Sequence, residues 1–203
     1  LHDTIRDFLQ MEETIGVKLL TDVHEVDHIQ YLKDVVDVLQ IPAFLCRQTD
    51  LIQAACKTDC IINIKKGQFL APWDVEGILS KTSEAKEVWI TERGTSFGYN
   101  NLIVDFTGLQ YMLMAYNCPI VYDISHSVQR PGGNKESSGG DRSYIPGLAR
   151  ASSALGITNF FIEVHPDPDN APSDGPNMLK LEDFDKVVED IMEYNYAEHR
   201  DNY

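Results

Sequence analysis

His126, Glu163 and Asp174 lie far apart in a 203-residue chain, each at or just past an apolar run. One imidazole and two carboxylates delivered from different strand ends can hold a divalent metal with positions left open for water or substrate. Asp22, His24, Asp123 and His165 are reserves for the same task. Spacing alone names no ligand set, because such residues meet only in a fold, and a histidine taken singly is more often structural than a ligand. A second group is cationic: Arg47, Lys65, Lys66 and Arg93 stand at three successive strand ends in an acidic protein. Clustering there favours binding of a phosphate or carboxylate over the plain alternative of solvated surface charge. Asn63 and Lys65 share a strand face, and Lys66 should point the other way. No cysteine has a base beside it in sequence, and no Ser-His-Asp or Cys-His arrangement competes strongly.

The chemistry concentrates in Asn159 to Leu179, NFFIEVHPDPDNAPSDGPNML. Phe160, Phe161, Ile162 and Val164 bracket Glu163, which reads as a buried strand carrying one carboxylate. An unpaired charge there costs several kcal/mol, so Glu163 calls for a nearby cation. Asp174 follows in Ser-Asp-Gly-Pro, where Gly175 permits a tight backbone and Pro176 fixes the exit. The polar run Ser127 to Arg142, with two Gly-Gly pairs directly after His126, reads as a mobile lid, with plain disorder as the alternative.

These residues need elements to carry them. An amphipathic helix over Thr4 to Thr14 presents Ile5, Phe8, Leu9 and Met11. Strands are expected at Val17 to Glu25, Val38 to Leu45, Ile61 to Ile64, Val88 to Thr91, Ile120 to Tyr122 and from Asn159. Helices are expected over Ile29 to Val35 with Asp27 as cap, and over Leu51 to Lys57 with an Asp50/Gln53 capping box. Others should run from Asp74 through Lys81, over Leu109 to Tyr116 and over Tyr144 to Leu155. A C-terminal helix is marked by Leu181, Phe184, Val187, Val188 and Ile191. The rhythm is strand, charged tip, helix, six times, with no hairpin signals. That pattern implies a parallel α/β sheet with right-handed crossovers.

An open doubly wound sheet gathers its ligand groups at one switch point, whereas here every strand ends in an ionisable or amide group and no G-x-G-x-x-G follows a strand. The (β/α)8 TIM barrel is the better reading. Six of its eight units are present, so residues 1–203 read as a single partial barrel domain whose first two strands are absent. The net charge of −15 argues against nucleic acid and anionic membrane as partners. No run of about 18 apolar residues and no signal segment is found, so a cytoplasmic location is expected. Cys46, Cys56, Cys60 and Cys118 show no C-x-x-C pairing and read as reduced thiols.

The segments TDVHE (21–25), QIPAFLCRQTDL (40–51), NIKKGQF (63–69), ERGTSFGYNNLIVD (92–105), DISHSVQ (123–129), EVHPDP (163–168) and SDGPNML (173–179) resemble 3-deoxy-D-manno-octulosonate 8-phosphate synthase, from about Val17 to the C-terminal helix. The resemblance implies a homotetrameric, cytoplasmic (β/α)8 barrel transferase of lipopolysaccharide biosynthesis. Such an enzyme condenses phosphoenolpyruvate with D-arabinose 5-phosphate and water, releasing phosphate. It further implies Lys65, His126 and Asp174 as catalytic residues, and Lys65 and Arg93 as the grip on phosphoenolpyruvate with Gln40 beside that pocket. Asp22 and His24 would line the mouth. Arg47 would bind the arabinose phosphate, in the family from a neighbouring subunit. His126, Glu163 and Asp174 match three of the family's four metal positions, for a divalent Fe, Mn or Zn. The fourth, a Cys in metal-dependent members and an Asn in the others, falls on the absent strands together with a Lys- and Arg-rich substrate segment. The wording KKGQFLAPWD and SDGPN is closer to the metal-dependent group. The resemblance thus predicts that these 203 residues alone are inactive and poorly folded. The alternative is the sister condensation with erythrose 4-phosphate, the 3-deoxy-D-arabino-heptulosonate 7-phosphate synthase reaction.

Overall fold

The computed structural model describes residues 7, 10, 11, 14–132 and 138–198. Ile5, Phe8 and Leu9 of the expected N-terminal helix lie outside the described residues, as does the 133–137 part of the polar run. The fold is mixed α/β, with six strands hydrogen-bonded into one sheet: β1 (Leu20–Asp22), β2 (Val38–Ile41), β3 (Ile61–Lys65), β4 (Val88–Glu92), β7 (Ile120–Asp123) and β10 (Asn159–Phe161), in that order. The ladders β1 to β2, β2 to β3 and β7 to β10 are parallel. The chain divides into two compact units, Leu1–Gly67 with Trp73–Ile90, and Gln68–Pro72 with Thr91–Tyr203. No helix of the described residues is long and apolar enough to cross a membrane.

In the first unit β2 and β3 run through the core, with Leu39, Ile41, Ile62 and Ile64 fully removed from solvent. Each such side chain contributes roughly 1.5–3 kcal/mol by burial. The strand expected to reach Leu45 stops at Ile41 because Pro42 has no N–H for the ladder; the Leu45 N–H instead bonds the Pro42 carbonyl at 2.9 Å, making a 3-10 turn over Ala43–Leu45. The helices begin earlier than their acidic residues suggested. Helix α1 (Val26–Leu32) follows Glu25, and α2 (Thr49–Cys56) follows Gln48, neither with a side-chain cap bond. Asp27 and Asp50 therefore sit in the first turns, where a carboxylate favours the positive end of the helix dipole without capping it. The expected helix from Asp74 is a 3-10 turn, Pro72–Val75, followed by one turn of α3 (Glu76–Leu79).

The second unit contains the hairpins that the sequence did not signal. β5 (Thr95–Ser96) pairs antiparallel with β6 (Leu102–Ile103), and β8 (Gln129–Arg130) with β9 (Gly139–Gly140). They are too short for an alternating pattern to register. A further pair, β11 (Val164–His165) and β12 (Leu179–Lys180), runs parallel. Helix α4 (Phe106–Ala115) starts three residues before its expected first residue. Helix α5 (Ile145–Ala154) packs against α6 (Phe184–Glu198) through the buried Ala149, Val187 and Ile191, with Arg150 and Asp190 paired at 2.8 Å. Leu181, expected on the apolar face, is 52% exposed in a 3-10 turn ahead of α6.

The run around Glu163 differs from its expected form. β10 ends at Phe161, and Phe160, Phe161, Ile162 and Val164 are only half-buried. The reason is positional: among the described residues β10 closes one end of the strand order and pairs with β7 alone.

Candidate active site

In the first unit, Asp22, Gln40 and Asn63 are opposed across β1, β2 and β3 and so share one face. Their side chains form a chain of hydrogen bonds, Asn63 Nδ2 donating to Gln40 Oε1 at 2.8 Å and Gln40 Nε2 to Asp22 Oδ1 at 2.6 Å. Both ends of the buried Gln40 amide are engaged in aiming Asp22. Lys65 lies two residues beyond Asn63 on the same strand and is buried, as a strand's alternation requires. Lys66 is also buried, with no exposure at all, and its ammonium reaches the Gly67 carbonyl at 3.5 Å, so both lysines are internal. Lys66 lies near Cys46; burial pushes that thiol up, and the Gly67 backbone, then Lys66 and Arg47, pull it back. His24 and Arg47 are exposed.

The second unit holds a denser array at the ends of β4 and β7. Asp123 is fully buried, with hydrogen-bond partners at both carboxylate oxygens. The backbone N–H groups of Ser125 and His126 donate to its Oδ1 at 3.1 and 2.8 Å, and His126 Nδ1 stands 2.8 Å from its Oδ2. A buried carboxylate in this position only accepts, so Nδ1 carries the proton and Nε2 presents its lone pair. Glu163 Oε2 lies 3.4 Å from that Nε2. Its backbone is fixed on both sides, N–H to Ser125 Oγ at 2.8 Å and carbonyl from Leu179 N–H at 2.9 Å. Within the chain, a polar partner of Glu163 is thus the His126 ring.

Arg93 and Asp174 are joined through Gln129. Arg93 Nη2 donates to Gln129 Oε1 at 2.9 Å, and Gln129 Nε2 donates to Asp174 Oδ1 at 2.8 Å and to Ser138 Oγ at 2.9 Å. Burial pulls the Arg93 guanidinium below its ordinary value, while Asp123, Asp174 and Glu92 hold it up. Arg93 is 5% exposed, and its Nη1 is buried without a hydrogen-bond partner among the described residues. A buried guanidinium with an open N–H is built to receive an anion. Asp174 itself takes the left-handed conformation, φ 52°, rather than Gly175; the glycine is required because a Cβ there would collide with the Pro168 carbonyl.

Of the expected residues, His126 and Glu163 come together, and Asp174 is linked to Arg93. Among the described residues no three His, Cys, Asp or Glu side chains are grouped to hold a metal ion. His165 is turned into its own loop, where Nδ1 accepts the Asp167 N–H at 3.0 Å. Sequence reasoning missed Gln129, because an amide directly after a turn carries no signal until a hairpin brings it back. It held Asp123 only in reserve, although a carboxylate three residues before His126 at a strand end is placed to orient that ring. The expected lid is, in its described part, the β8 to β9 hairpin. A cavity of about 450 Å³ adjoins this array, lined by Gln129 together with Leu102, Ser127, Arg130, Tyr144 and Arg150.

Residues 2–197 match the model of the DAHP synthetase I family. The chain is 50% identical over 190 residues to a 2-dehydro-3-deoxyphosphooctonate aldolase of Rhodopseudomonas palustris (strain BisB5), covering 93% of this chain and 66% of the relative. It is 51% identical over 197 residues to the Caulobacter vibrioides protein of that name (96% and 68%), and 49% identical over 197 residues to that of Bartonella bacilliformis (96% and 70%). The chain spans about two thirds of the length of these curated relatives. A match over nearly its whole extent makes this chain a member of the DAHP synthetase I family.

Proposed function

We propose that the protein condenses phosphoenolpyruvate with D-arabinose 5-phosphate and water, giving 3-deoxy-D-manno-octulosonate 8-phosphate and phosphate. The observation that carries this reading is the buried Arg93 guanidinium with its open Nη1, tied through Gln129 to Asp174 and near Asp123. Phosphoenolpyruvate is a dense anion, and a desolvated guanidinium binds one far more strongly than a surface cation does. The relatives' shared name favours the octulosonate reaction over the erythrose 4-phosphate condensation.

In this reading Arg93 and Lys65 clamp the phosphoenolpyruvate charge and stabilise the phosphate that leaves as the C–O bond breaks. Asp22, held by Gln40, and His24 line the approach of the sugar, and Arg47 meets its phosphate. A divalent Fe, Mn or Zn ion belongs to this reading, with two donors adjoining and the third, Asp174, not grouped with them among the described residues. Two acceptors facing each other at 3.4 Å, His126 Nε2 and Glu163 Oε2, need a proton or a metal ion beside them, and Asp123 fixes the imidazole as second-sphere carboxylates do. His126 and Glu163 would hold the ion with Asp174 as a third ligand; bound there, it would polarise the sugar aldehyde or activate the water. We extend the same reading to the frame: a closed (β/α)8 barrel, to which residues 1–203 belong as one domain, assembled as a tetramer in the cytoplasm.

The test is phosphate release from phosphoenolpyruvate by the full-length gene product, with arabinose 5-phosphate or erythrose 4-phosphate, before and after EDTA. Release with the pentose alone, abolished by EDTA and restored by a divalent metal, is expected. Turnover that survives chelation removes the metal role, and no release with either sugar overturns the reaction.

A further inference from the structure

Asn177 is fully buried, yet neither Oδ1 nor Nδ2 of its amide has a hydrogen-bond partner among the described residues. Leaving a buried amide unmatched costs about 1–3 kcal/mol, so the group needs a reason. It sits three residues past Asp174, in the 3-10 turn Gly175–Asn177, with its N–H bonded to the Asp174 carbonyl at 2.8 Å. Its side chain is pressed on β9: a Cβ added to Gly140 would coincide with Asn177 Oδ1 and come within 3.0 Å of the Val128 carbonyl. Oδ1 therefore occupies the space of the missing side chain, and the hairpin strand lies against the turn only because residue 140 is glycine.

The same hairpin carries Gln129, whose register partner is Gly140 and whose Nε2 holds Asp174 Oδ1. The turn and the hairpin thus meet at two points, one polar at Asp174 and one steric at Asn177. We infer that Asn177 is a positioning residue: through Gly140 it sets the distance between the β8 to β9 hairpin and the Asp174 turn, and so the aim of the Asp174 carboxylate and of the Gln129 bridge to Arg93. A hydrocarbon of similar volume would fill the space at lower desolvation cost but would lack the planar, thin edge that lets the glycine backbone approach. Where the inference concerns turnover, it rests on the condensation proposed above.

The experiment uses the full-length gene product and three variants, Gly140→Ala, Asn177→Gly and the two combined. Gly140→Ala pushes the hairpin from the turn; displacements of this size cost about 10- to 100-fold in kcat, and KM for phosphoenolpyruvate should change far less. Adding Asn177→Gly makes room for the new methyl and should recover most of the lost kcat. Asn177→Gly alone should raise amide exchange at residues 138–140 and 174–177 together by about tenfold or more, with the helices unchanged. A double variant no better than Gly140→Ala, or unchanged exchange in those two segments, overturns the inference. If the wild-type protein releases no phosphate, the proposed reaction fails by itself, and the exchange measurement still decides the role of Asn177.

Discussion

Replacing Asp123 with Asn changes one atom and should dismantle the His126 arrangement. Asp123 faces two kinds of donor, the backbone N–H groups of Ser125 and His126 at its Oδ1 and the imidazole Nδ1 at its Oδ2. An Asn has a single acceptor oxygen. Two fixed backbone donors outweigh one movable imidazole, so that oxygen stays with the backbone and the new NH2 turns toward Nδ1. Nδ1 must then accept, its proton moves to Nε2, and Nε2 donates to Glu163 Oε2, 3.4 Å away. The lone pair that a metal ion would use is gone. Losing the orienting carboxylate of a histidine ligand costs about 10- to 100-fold in metal affinity or activity, and the wrong tautomer costs more. A fall in kcat of about 100- to 1,000-fold is expected, or roughly 2.7–4 kcal/mol of transition-state stabilisation. Stability should drop by about 2 kcal/mol as a charge-assisted bond becomes a neutral one at a fully buried site. Phosphate release, bound metal by elemental analysis and a urea melt measure the three quantities on one preparation. Turnover within about threefold of wild type, with metal content unchanged, would refute the tautomer argument.

Arg93→Lys keeps the charge but loses the planar fork, so KM for phosphoenolpyruvate should rise about 10- to 100-fold in steady-state kinetics. His165→Ala should leave kcat within about threefold while costing about 1 kcal/mol, because Nδ1 is occupied by the Asp167 N–H; a large kcat loss would return His165 to the ligand set. Burial, with a smaller push from Glu84, raises the Cys56 thiol from 9.0 to about 11. Between those values the folded state keeps a proton that the unfolded state releases, so stability falls as pH rises through the window, by up to roughly 2–3 kcal/mol. Cys56→Ala should flatten that slope, as urea melts below and above the window can measure.

Much of this protein was legible before its fold. Apolar runs capped by ionisable residues marked the six main strands; for those buried on both faces, as β2 and β7 are, the run must be largely apolar until it ends. Arg93, His126, Glu163 and Asp174 were visible as chemistry because charged groups at such ends need partners. Local details failed where sequence offers two equivalent choices. Asp27 and Asp50 could cap or follow a cap, and Asp174 or Gly175 could take the left-handed conformation.

The sequence by itself therefore determined the alternation of elements and the residue types available for anion and metal chemistry, since both follow from local burial and charge. Tertiary structure alone decided who touches whom. Gln129 became the bridge between Arg93 and Asp174, Asp123 became the keeper of the His126 tautomer, and Asn177 came to rest on Gly140. The Gln129–Asp174 bond spans 45 residues and Asn177 meets a glycine 37 positions earlier, distances over which no local pattern carries information. Contacts of that kind depend on how hairpins and turns pack, and packing is a property of the folded chain.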